Sequence, residues 1–99
     1  MIRRSHYEKL KNKIFKVYPF FVEGNEGLTT YIDSLLYEFR GLIHELNDTQ
    51  ASMLQTIISI FEHFYDDSLA PDPDLQTIRR EWLNCMNLMD KIAEHGDEQ

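Results

Sequence analysis

Ninety-nine residues are enough for one domain, since domains cluster at about 100–150 residues. A chain that is 42% hydrophobic and 27% charged reads as globular rather than disordered. Seventeen acidic side chains against ten basic ones leave a formal net charge of -7. That balance argues against general nucleic-acid binding, which needs cations to neutralise phosphates.

Cys85 is the one cysteine, so an intrachain disulfide is excluded and a reducing, cytoplasmic location is expected. No apolar run approaches the roughly 20 residues that span a bilayer, and no membrane role is expected. Met1-Ile2-Arg3-Arg4 is basic, but no apolar segment of the kind found in secretory signals follows it.

In chain order, the pattern reads as four helices at about 6–18, 26–46, 49–66 and 73–95. The first opens on Ser5 and Glu8, the spacing of a capping box. Tyr7, Leu10, Ile14 and Val17 then recur at helical spacing, with Phe15 and Tyr18 broadening the stripe. Pro19 is expected to end this helix, because it lacks an N–H and disfavours helix in the preceding residue. Residues 19–27 read as a connection, with Phe20 and Phe21 as unusual loop residues that either cap the bundle or anchor a partner.

The second helix has the cleanest period: Leu28, Tyr31, Ile32, Leu35, Leu36, Phe39, Leu42, Ile43 and Leu46. Gly41 lies inside it, where a close helix crossing would explain a glycine that costs about 1 kcal/mol against alanine. Asn47-Asp48-Thr49 supplies a break and a new cap. The third helix is apolar over most of its circumference, from Ala51 and Met53 to Phe64 and Tyr65. Such a helix is central in its fold or buried by a partner, so a homodimer through it is one reading. In the segment 67–73, Asp72 is a candidate N-cap, with Pro73 at the first helical position. The fourth helix carries Leu75, Ile78, Trp82, Met86, Met89 and Ile92, and should fade near Gly96 into a frayed tail at 97–99. No strand-period alternation competes. Short connections favour a single all-α domain, arranged as an antiparallel up-down four-helix bundle.

Charge is unevenly distributed. Residues 1–16 hold Arg3, Arg4, Lys9, Lys11, Lys13 and Lys16 against Glu8 alone, a local charge of +5, which leaves -12 on the rest. Between Arg40 and Arg79 there is no lysine or arginine. Glu62, Asp66, Asp67, Asp72 and Asp74 cluster there, around the end of the third helix and the loop after it. The plain reading is a solubilising surface beside a basic first helix. The sharper one is a docking face for a basic protein partner, steered by complementary potential, with Phe20 and Phe21 as anchors.

Catalytic and metal chemistry find little support. Glu62 with Asp66 and His63 with Asp67 are i, i+4 pairs, a spacing that can ligate a metal. A helical di-metal bundle uses Glu-x-x-His motifs, and the residues three before His44, His63 and His95 are Gly41, Ile60 and Ile92. His44 reads as solvated and His6 falls in the first turn of the first helix, where a positive charge is unhelpful to the helix dipole, so neither suggests a base. Cys85 has Trp82, Glu81, Leu88 and Met89 as helical neighbours, none of which activates a thiol. There is no phosphate-cradling glycine loop, no Gly-x-Ser-x-Gly and no Cys-x-x-Cys. Neither enzyme, metal site nor cofactor is expected.

In size, acidity and helical content the chain resembles the helical immunity proteins that neutralise bacterial nuclease toxins. The resemblance is one of general character and assigns no role to any residue. It implies an inhibitor whose carboxylates fill a toxin's cationic cleft. The alternative is a homodimeric regulatory or assembly adaptor, in phage, secretion or transcription machinery, using the apolar surface of the third helix.

Overall fold

Pro19 shapes the start of the chain differently from that expectation. Its nitrogen cannot donate to the Phe15 carbonyl, and its ring crowds that carbonyl. In the computed structural model, which describes residues 4–96, helix α1 (Arg4–Phe15) therefore stops four residues before the proline. Lys16 makes a turn, and a second short helix, α2 (Val17–Glu23), resumes with Pro19 in its first turn. There no N–H is required. Phe20 and Phe21 are thus helical rather than loop residues. Gly24 ends α2 in the left-handed region at φ 66°, a conformation that favours glycine.

The remaining elements are α3 (Leu28–Leu42), a 3-10 turn at Ile43–Glu45, α4 (Asp48–Leu69) and α5 (Leu75–His95). Among the described residues the chain is all-helical, a compact four-helix bundle in which α1 and α2 together stand for the first helix. Several predicted bounds shift. Ser5 lies inside α1, so it is no N-cap. The capping box belongs instead to Asn47 and Gln50, whose side chains each accept from the other's backbone N–H. Asp74 rather than Asp72 caps α5. It accepts from the N–H groups of Gln76 and Thr77, and the Thr77 hydroxyl adds a bond of 2.8 Å that Asp72 has no counterpart for. A Cβ on Gly41 would meet nothing within 4 Å, so no close crossing occurs there. The tail at 97–99 and Arg3 lie outside the described residues.

Helix α4 packs against both α3 and α5, while α1 and α2 pack on α5. Leu54, Ile57, Ile58, Phe61 and Phe64 are buried, and Met53, Ile60 and Tyr65 are half-buried against the same core. The wide apolar surface of α4 is therefore covered within its own chain. The homodimer reading loses the feature that motivated it.

Two sets of hydrogen bonds tie the helices together. At the α1–α2 break, carbonyls in the last turn of α1 accept from side chains of other helices. The Tyr31 hydroxyl of α3 donates to Lys13 O at 2.7 Å, and the Trp82 indole N–H of α5 donates to Ile14 O at 2.8 Å. Phe15 and Tyr18 lie against the Trp82 ring, with centroids 5.6 and 5.2 Å away. At the start of α4, Gln50 is the buried polar residue of the core, 4% exposed. Its amide donates to Ile92 O (2.8 Å) and to the Tyr7 hydroxyl (3.3 Å), joining α4 to α5 and α1. Exposed ion pairs Lys11–Asp90 and Lys13–Glu38 flank these contacts and add little each.

Replacing Gln50 with leucine keeps most of the volume but leaves the Ile92 carbonyl without its donor. Gln50→Leu should lose about 1–3 kcal/mol, read as a lower urea midpoint at unchanged slope.

Candidate functional site

The expected partner-binding residues fall in three places. Glu62 and Asp66 project from α4 toward α3, lining a shallow groove of about 280 Å³ with Asp33, Leu36, Arg40 and Tyr65. Arg40 reaches Glu62 at 3.5 Å, so that carboxylate is partly neutralised. Asp67 and Asp72 line a different cleft at the end of the bundle. Asp74 is engaged as the cap of α5, and its hydrogen bonds with Thr77, more than any other contact, hold its pKa below the ordinary aspartate value.

The two phenylalanines are not free anchors. Phe21 is buried, edge-on to Phe64 at 5.9 Å, and Phe20 is half-buried, edge-on to Tyr31 at 5.2 Å. The α2 helix turns both rings inward, because Pro19 lies in the first turn of a helix instead of opening a loop.

The end cleft lies between two connections, 24–27 and 70–74. Beside it, the start of α3 and the end of α4 are joined by the Thr29 and Ser68 hydroxyls, 2.7 Å apart, and Ser68 also donates to Tyr65 O. The cleft measures about 510 Å³. Its lining brings Glu23 and Glu26 to Asp67 and Asp72, with no lysine or arginine among the lining residues. Val22 and Leu75 also line it and are 58% and 37% exposed. One wall is preset: the Asn25 carboxamide oxygen accepts from the Gly27 N–H at 2.7 Å, fixing the turn that follows Gly24.

Glu23, Glu26, Val22 and Leu75 were not identified from the sequence as site residues. The available signal was topological. In an up-down bundle the first and third connections share an end, so acids in both belong to one surface.

Asp67 stands apart from Asp74 in the direction of its shift, since its pKa is raised. Burial raises its pKa first, the neighbouring Asp66 and Asp74 raise it further, and His63 works in the opposite direction. Its carboxylate has no hydrogen bond or ion pair among the described residues. Among those residues no group of three or more His, Cys, Asp or Glu is placed to hold a metal ion. Cys85 is buried, and burial pushes its thiol up to about 12. No helix among the described residues is long and apolar enough to cross a membrane. No protein-family model, curated protein or solved structure matches the chain.

An aspartate whose pKa is raised by folding binds its proton more tightly in the folded state. Its ionised form therefore lowers stability above the folded pKa, and this loss is relieved as pH falls through that value toward the unfolded one. Asp67→Asn should raise the urea midpoint at neutral pH. The gain should vanish below about pH 3, where the native carboxyl is itself protonated. Equal gains at both pH values would contradict the assignment.

Proposed function

We propose that the chain is a small, non-enzymatic protein-binding module that docks a basic partner at its acidic end. In its most specific form this is an inhibitor of the immunity type, whose carboxylates occupy the cationic substrate cleft of a nuclease toxin. The observation that carries the reading is the gathering of Glu23, Glu26, Asp67 and Asp72 in one cleft at the end of α4, with Asp66 and Asp74 close enough to act on Asp67 and no ion pair to any of them among the described residues. Uncompensated charge of one sign raises the encounter rate with an oppositely charged surface and repels like-charged ones. Phosphate backbones are repelled by the same field, so the partner is a basic protein and not a nucleic acid.

Affinity capture from an extract of the source cell at low salt tests this. The expected result is a stoichiometric basic protein, released as salt rises. The double reversal Asp66→Lys with Asp67→Lys should weaken binding of that purified partner at least about tenfold, equivalent to about 1.4 kcal/mol. Both positions lie at the solvent-facing end of α4, and a thermal melt checks that the variant remains folded. Unchanged affinity in the folded variant, or capture of nothing basic, would remove the proposal.

A further inference from the structure

We propose that the end cleft takes a basic segment carrying one apolar anchor side chain, the anchor seated between Val22 and Leu75 and its flanking cations against the surrounding carboxylates. This rests on the acidic-end reading and specifies what that end recognises.

Charge alone leaves part of this end unexplained. A purely electrostatic face needs no concavity and no exposed hydrocarbon. Here the two connections stand apart to leave about 510 Å³ between them. That lies within the roughly 300–1,000 Å³ range of sites that enclose small ligands or side chains. Val22, in the last turn of α2, and Leu75, the first residue of α5, line it although both are substantially exposed. Pro71 and Pro73 add apolar surface along the α4–α5 connection without flexible side chains.

The chemistry of the occupant follows from the charged part of the lining. Every charged side chain there is acidic: Glu23 and Glu26 on one connection, Asp67 and Asp72 on the other. An acidic or phosphorylated segment would meet like charge from both sides. A neutral apolar segment would desolvate the half-buried Asp67 carboxylate with nothing in exchange. A lysine or arginine beside the anchor adds to the one favourable neighbour of Asp67, His63, a full counter-charge against the burial and acidic neighbours that disfavour its anion. A second copy of this chain is a poor occupant, because its basic first helix comes attached to a net charge of -7.

The two parts of this recognition separate by salt and by side chain. The full chain, labelled with nitrogen-15, is titrated at low salt with three capped peptides: Lys-Lys-Phe-Lys-Lys, Lys-Lys-Ser-Lys-Lys and Glu-Glu-Phe-Glu-Glu. The phenylalanine peptide with lysines should bind about tenfold more tightly than its serine counterpart, shifting amides at 22–28 and 67–75. The acidic peptide should not bind. Val22→Ser with Leu75→Ser should bring the phenylalanine peptide down to the serine peptide's affinity and leave the serine peptide unaffected. If the double variant fails to fold, Val22→Ser alone, at the more exposed position, should give part of the same loss. Equal affinity of the two lysine peptides would overturn the anchored cleft while leaving the acidic docking face standing. Absence of binding by either lysine peptide would overturn both. Amide shifts confined to the groove around Asp33 and Arg40 would show the cleft to be the wrong location.

Discussion

The constraint on which the architecture depends is the missing N–H of Pro19. A continuous helix through that point would carry Phe20 and Phe21 along the axis of α1. The chain instead breaks at Lys16 and resumes as α2, in which Phe21 reaches Phe64 and Phe20 reaches Tyr31. It also marks the place where α1 carbonyls receive the Tyr31 hydroxyl and the Trp82 indole. A helix terminus in a protein interior needs such donors, since its last carbonyls lack partners along the helix. Here two aromatic side chains supply them while adding their rings to the core, and three helices meet at one join.

The two ends of the molecule are finished in opposite ways. At the start of α4, a buried amide binds groups on α1 and α5, and the Asn47 cap completes the closure. At its far end, α4 stops beside a cleft edged by carboxylates and flanked by one hydroxyl pair. Twenty-two residues of α4, about 33 Å of helix, separate them. Satisfied polar groups are concentrated where the helices must stay joined, and unsatisfied charge where the connections face solvent. Such a division suits a module that presents one end and keeps the other shut.

Much of this was legible in the sequence, and the failures have physical causes. The periodicity of Leu28 to Leu42 and of Ile78 to Ile92 marks buried faces directly, because 3.6-residue spacing is a property of the helix itself. The width of the apolar surface on the third helix was legible too, but not its cause. A central helix and an oligomeric one expose the same pattern until the neighbours are placed. A proline after a helical stripe signals a terminator, but it is equally at home in the first turn of a new helix. Of two candidate caps, Asp72 gives way to Asp74 two residues on, and Ser5 does not cap α1. The Asp74 cap gains a reciprocating Thr77 hydroxyl, and Ser5 is already inside a helix. Of the site, the acids of α4 and of the following loop were visible as a run without cations. Glu23 and Glu26 were not, since they stand more than 40 positions before Asp67 and join it only through the fold.

The buried thiol of Cys85 has a practical consequence. Alkylating reagents attack the thiolate, and a group both enclosed by α5's packing and pushed up to about 12 offers almost none at neutral pH. Modification must wait for α5 to separate from the core. With fast reclosing, the labelling rate at this one position is the intrinsic thiol rate scaled by the fraction of time the helix spends open. The chain thereby carries its own clock for opening, placed beside the join that holds the bundle, with no reporter group to be introduced. The same clock could be run with a partner seated at the acidic end, where any slowing would measure how far stabilisation spreads along α5 from the cleft at its first turn.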